Sequence, residues 1–257
     1  MSTSSLVHDF TPRTDQPFAP QHQWDRNFFL AYLVLIWLGI GMGFGSDVIH
    51  HVTTHERAYP LIVHVHAATF MTWLALFSAQ ILLIRTGRTA IHRKLGYAMI
   101  PVAVAMVLIG PATAYVVQRT DFGTPHSDPA FLSIQLTDMT AFAGLIGAAV
   151  LLRNKASAHK RLTLLSVLFI ADAGYARWLG EPITHALGTG WWGNYEGLYL
   201  ATDVLILGLG AYDLVTRKRL HPAYVGGVAW GASQHFLANW LYFLPAWKPV
   251  ALSLIGH

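Results

Sequence analysis

Three aspartates, an arginine and two histidines stand where the surrounding chain leaves them no water. Asp138, Asp172, Arg177, Asp203, His66 and His235 each fall inside a long apolar stretch. An ionisable group in a bilayer core costs roughly 2.5–3.5 kcal/mol on insertion scales, so such residues mark a functional site by default. Their types admit three chemistries. Imidazole and carboxylate ligands bind a divalent metal, with His66, Asp138, Asp203 and His235 as the set. Two histidines from different helices hold a b-type haem axially, with His66 and His235 as the pair of matching depth. Without any cofactor, Asp138, Asp172 and Asp203 act as catalytic acids, bases or proton relays, with Arg177 as their counter-charge. A plainer role is structural, Arg177 pairing with Asp172 or Asp138. Three acids and two histidines nevertheless exceed what one arginine can neutralise.

Spacing narrows these readings. No His-x-x-x-His occurs in the set, so any metal ligands must converge from separate helices. His64 and His66 are two apart and point in different directions on a helix, so one of them at most faces the site. Residues three or four apart share a helix face. That rule places Gln135 and Phe142 beside Asp138, Tyr199 beside Asp203, Asn239 beside His235 and Phe70 beside His66. Charges flanked by aromatic and amide side chains suit a polar cavity with aromatic walls, which fits a lipophilic small molecule.

The elements that position these residues read as membrane helices. Only 12% of the 257 residues are charged and 54% are hydrophobic; a soluble domain carries roughly 25% charged residues. The expected fold class is all-α, a polytopic bundle of seven transmembrane helices. A span needs about 20 apolar residues. The stretches are Phe28–Gly45, Leu61–Ile84, Leu95–Val117, Ala130–Leu152, Leu162–Leu179, Gly197–Val215 and Tyr224–Leu244. Their continuity argues against a β-barrel. Alternate connections carry Arg85, Arg88, Arg93 and Lys94; Arg153, Lys155, Lys160 and Arg161; and Arg217, Lys218 and Arg219, whereas the opposite ones hold only Arg57 and Arg119. The basic side is expected to be cytoplasmic. Residues 1–27 lack signal-peptide order and read as a flexible cytoplasmic tail, with residues 28–257 as the membrane domain and the C-terminus outside. The net charge of +4 sits in these loops, so it reports topology and implies no nucleic-acid partner.

Other motifs read as structural. The absence of cysteine excludes disulfides, thiolate ligands and a cysteine nucleophile. His51 and His55 have metal-like i, i+4 spacing in an outer loop, but the further histidine boxes of di-iron chemistry are missing. His92, His159 and His221 open the third, fifth and seventh spans and read as anchors to anionic headgroups. Gly39–Gly45 reads as a helix-packing surface. The basic segments around His92 and His159 resemble each other, and Arg217–His221 is a looser copy, so spans two to seven form three helical hairpins with span one added.

Together, Tyr59-Pro60, His64-x-His66, Trp73, Gln80, His92-Arg-Lys-Leu-Gly96, Asp138, His159-Lys-Arg-Leu162, Asp172 and Arg177 resemble a family of small multi-pass bacterial membrane proteins over residues 27–215. The resemblance implies a helical bundle in the bacterial inner membrane and supports the choice of residues. The His92-Arg-x-Leu-Gly element is also similar to one in cytochrome b561-like membrane proteins, which implies haem b. The leading expectation is a membrane enzyme acting on a lipophilic substrate. The rivals are a proton-coupled transporter, a haem redox protein and a membrane assembly factor.

Overall fold

Apolar runs become helices wherever no water is present to satisfy backbone groups. The computed structural model describes residues 18–54 and 58–257. Among them are nine α-helices: α1 (Asp25–Thr54), α2 (Leu61–Arg85), α3 (Thr89–Asp121), α4 (Leu132–Leu151), α5 (Ala156–Tyr175), α6 (Glu181–Leu187), α7 (Trp191–Arg217), α8 (Pro222–Phe243) and α9 (Trp247–Ile255). A 3₁₀ turn, Pro129–Phe131, leads into α4, and a π turn, Ala176–Gly180, joins α5 to α6. Pro182 lies just beyond that π turn and has no N–H to give the preceding turn, a local reason for the wider winding.

Six of these elements are long and apolar enough to cross a membrane: α1, α2, α3, the 3₁₀ turn with α4, the continuous α5–α6 rod, and α7. The expected seventh, α8, has 22 residues but is not among them. Its composition explains the difference. Gln234, His235 and Asn239 lower its hydropathy, and all three are buried. Other boundaries shift as well. Helix α1 runs to Thr54, so the expected outer loop from Asp47 is helical instead. His51 stacks on Tyr59 at 4.0 Å between ring centroids; His55 lies outside the described residues. The short helices α6 and α9 were not expected. Apolar side chains of α9 pack on Ala114 and Leu132, and Trp247 donates to the Ala130 carbonyl at 2.9 Å.

Helix α5 is the axis. Of its apolar window 61% is buried, against 22% for α2, because α1, α4, α7 and α8 all pack around it. Glycines set the closest approaches. A Cβ on Gly43 would lie 2.0 Å from the Gly174 carbonyl oxygen, and one on Gly39 would enter the Tyr175 ring. Backbone therefore meets backbone where α1 crosses α5, as expected for a small-residue packing surface. Tyrosine hydroxyls tie neighbouring helices to α7: Tyr32 donates to the Leu205 carbonyl at 2.7 Å and Tyr224 to that of Ile206 at 3.0 Å.

One end of the bundle is an ion-pair network. Lys160 and Arg217 reach Asp25 at 2.7 and 2.9 Å, and Tyr212 donates to it at 2.6 Å. Arg161 grips Asp213 with two bonds, one of them 2.6 Å, and the two side chains are 1% and 0% exposed. These bases come from the expected loops but are drawn into helix ends. The histidines there also bond to protein rather than standing as free anchors. His159 Nδ1 lies 2.9 Å from the Ala149 carbonyl, and His221 caps α8 by accepting from the Ala223 N–H at 3.0 Å. Burial, reinforced by the Arg161 charge, pushes the His221 imidazole down to about 4, which keeps it neutral at pH 7 for that acceptor role.

Removing one partner of a buried ion pair leaves a bare charge, at a cost of about 3–5 kcal/mol. R161M alone and D213L alone should therefore lower the melting temperature in detergent sharply. The double replacement should recover most of the loss, which thermal unfolding of all four proteins would test.

Candidate functional site

The three residues that converge come from three helices packed on one another: Asp138 on α4, Asp172 on α5 and His235 on α8. Each offers one ligand atom, and these atoms all lie within 4.8 Å of one another. At 1.5 Å per residue, Asp138 is about 14 Å from Pro129 and His235 about 12 Å from Phe243, well inside the bundle. The approach of α8 to α5 that brings His235 in depends on Gly231. A Cβ there would stand 2.1 Å from the Phe169 ring, and Phe169 in turn meets the His235 imidazole edge-on at 4.7 Å.

His235 is the hinge of the geometry. Its Nε2 lies 3.4 Å from Asp172 Oδ2, and its Nδ1 lies 3.9 Å from Asp203 Oδ1 on α7. Tyr199, one turn before Asp203, stacks on the imidazole at 3.7 Å with a 9° interplanar angle. His235 and Asp172 are buried, whereas Asp203 keeps 33% exposure. Asp203 sits at the margin of a stripe of exposed apolar residues on α7, with Leu200, Val204 and Leu207 around it. The site thus reaches the outer wall of the bundle beside α7.

Its polar atoms lack partners. Among the described residues, Asp138 Oδ1, Asp172 Oδ2, both His235 ring nitrogens and the Tyr199 hydroxyl are buried without a hydrogen bond. Asp172 Oδ1 accepts from its neighbour, the Ala173 N–H, at 2.6 Å. Buried polar groups are satisfied in the great majority of cases, so several orphaned atoms at one place are informative. A cluster serving only to tie helices together would use its hydrogen bonds, as Arg161 and Asp213 do.

The expected set is therefore corrected. Arg177 does not join the acids. It turns to Asp47 at 3.8 Å, lies over the Phe44 ring, donates to the Ala173 carbonyl at 2.7 Å and is 44% exposed. Five residues from Asp172, it stands about 140° around a regular helix and so off the face of that acid. His66 is outside the convergent group as well. It stacks on Phe70 at 4.0 Å, and its Nδ1 is buried without a partner. Of the two neighbours, His64 is exposed and His66 half-buried. Asp203 stands behind His235 rather than beside Asp138 and Asp172. The metal-capable group among the described residues is Asp138, Asp172 and His235 in place of His66, Asp138, Asp203 and His235. A haem on His235 also meets an obstacle, because carboxylates face both ring nitrogens where a porphyrin would have to lie.

Sequence reasoning placed Tyr199 with Asp203 rather than on the imidazole, and it missed Phe169 as the other wall and Asp213 altogether. Asp213 lies inside the sixth apolar stretch four residues before Arg217, a spacing that could have flagged it. Gln135, placed with Asp138, pairs instead with Gln118 at 3.3 Å, and Gln80 donates to the His92 carbonyl at 3.2 Å. Compared with protein-family models, with curated proteins and with solved structures, the chain matches none.

Orphaned buried groups destabilise the fold that carries them. In the presence of a metal chelator, Asp172→Asn and Tyr199→Phe should accordingly leave the detergent melting temperature unchanged or raise it. A drop as large as that of R161M would show that these atoms hold the bundle together.

Proposed function

We propose that this protein is an integral enzyme of the bacterial inner membrane that acts on a lipophilic substrate at Asp138, Asp172 and His235. In this reading seven helices cross the bilayer, with the N-terminus cytoplasmic and the C-terminus outside. The 22 residues of α8 extend about 33 Å, enough for a hydrocarbon core of about 30 Å. The polar side chains that lower its hydropathy face inward. The basic end of the bundle is then cytoplasmic.

One observation carries the reading: a carboxylate pair and an imidazole, buried and unsatisfied, meet in the middle of a membrane bundle. The cluster is placed to act on a bound substrate from inside the bundle, with Asp203 on the far side of the His235 ring. Asp203 at the wall marks where an apolar molecule would enter sideways from the bilayer. Tyr199 and Phe169 supply the aromatic surface beside it.

A proton-coupled carrier needs a polar path to the other side. Between Asp172 and Arg161 on α5, and between Asp203 and Asp213 on α7, the buried residues include Leu165, Leu168, Ile206 and Leu209. This layer, apolar apart from Ser166, whose hydroxyl bonds back to the Thr163 carbonyl of its own helix, spans about 15 Å and favours an enzyme over a carrier.

Membrane vesicles holding the wild type, Asp172→Asn or His235→Gln would be incubated and their lipids compared by mass spectrometry. At least one lipophilic species should be consumed by the wild type alone, and the variants should slow that conversion by at least about 10²-fold. Identical lipid profiles for wild type and folded variants would overturn the proposal.

A further inference from the structure

We propose that Asp138, Asp172 and His235 are the three protein ligands of one divalent cation of the zinc type. The inference rests on the reading of this cluster as the reactive centre and names its cofactor. The donor set differs from the one that spacing alone suggests, and it follows from four observations.

The first is distance. His235 Nε2 and Asp172 Oδ2 are 3.4 Å apart, and among the described residues neither makes a hydrogen bond. Two ligands bonded at about 2.0–2.1 Å to a tetrahedral ion stand about 3.3–3.4 Å from each other. The gap is therefore long for a hydrogen bond and right for two ligands of one metal. The second is the number of donors. Asp138 supplies a third atom within the same 4.8 Å limit, and its Oδ1 is also orphaned. Three side chains leave the fourth tetrahedral position for water or substrate, which distinguishes catalytic zinc sites from structural ones.

The third is the carboxylate behind the ring. A metal-bound histidine almost always gives its other N–H to a carboxylate or carbonyl, fixing the tautomer that presents the bare nitrogen to the ion. Asp203 Oδ1, 3.9 Å from Nδ1, is the carboxylate on that side of the ring and would take this role on closing to hydrogen-bond distance. The fourth is the lack of a counter-charge from the protein, for which a divalent cation, binding carboxylates that it deprotonates, would substitute. No lysine or arginine pairs with either carboxylate at ion-pair distance among the described residues, since Arg177 is turned to Asp47. When bound, the ion would lower the pKa of its water and supply a nucleophile at neutral pH. Such chemistry suits hydrolysis of a lipophilic ester or amide.

The test is metal content and metal uptake by the full-length protein in detergent. Plasma mass spectrometry should find close to one zinc per chain in the wild type. Asp172→Ala and His235→Ala should lose at least tenfold, and Asp203→Asn should weaken zinc affinity by about 10–100-fold while keeping the ligands. Circular dichroism would verify that each variant is folded. Where a variant fails to fold, chelator-stripped wild type titrated with Zn²⁺ must take up one equivalent and gain melting temperature, and Co²⁺ must give the visible bands of a tetrahedral site. No uptake by stripped wild type, or equal zinc in wild type and folded ligand variants, overturns the metal site. If zinc is absent but the lipid conversion still depends on Asp172 and His235, the enzyme reading survives without the metal. If zinc binds as described and no lipid is converted, the reverse holds.

Discussion

A charge inside a membrane bundle must find its counter-charge in the protein, because no water is there to solvate it. This constraint orders the whole molecule. At the basic end it is met in full. Arg161 and Asp213 neutralise each other, and Asp25 gathers Lys160, Arg217 and Tyr212. These contacts tie the starts of α1 and α5 to the end of α7. Midway along the bundle, the same constraint is left unmet by side chains alone. There Asp138, Asp172 and His235 hold unpaired atoms toward one another. A fold that satisfies its ions so completely in one place makes the exception meaningful.

The exception is held open by packing. Backbone contact between Gly43 and Gly174 brings α1 against α5, and Gly231 admits the Phe169 ring so that α8 closes from another side. Helix α5 is thereby enclosed along most of its length, and Asp172 is fixed within the enclosure. Tyr199 and Phe169 clamp the imidazole from its face and its edge. Rigid walls of this kind keep unsatisfied groups from relaxing toward one another, the arrangement that a preorganised site requires. Stability is thus spent at the centre and recovered at the basic end.

The run of apolar helices, most helix positions and the placing of Asp138, Asp172, Asp203 and His235 inside them were legible in the residues, because an ion within an apolar run is visible in one dimension. So was the packing role of Gly39 and Gly43. Arg177 does not meet the acids it was grouped with. Five residues from Asp172, it stands about 140° around a regular helix, so the spacing itself puts it off the acid's face. His66 was matched to His235 by depth alone, and depth says nothing of the direction a helix face turns. Helix α8 falls short on hydropathy partly through Gln234, His235 and Asn239, and all three are buried.

Sequence by itself therefore determined that this chain is a bundle of apolar helices carrying acids and imidazoles that lipid would not tolerate. Those facts depend on composition and on periodicity along one helix. Tertiary structure decided which of those groups meet. Asp138, Asp172 and His235 are brought within 4.8 Å from positions up to 97 residues apart, by the azimuth and crossing of three helices. Azimuth is set by contacts such as Gly231 on Phe169, and no spacing within a single helix encodes them.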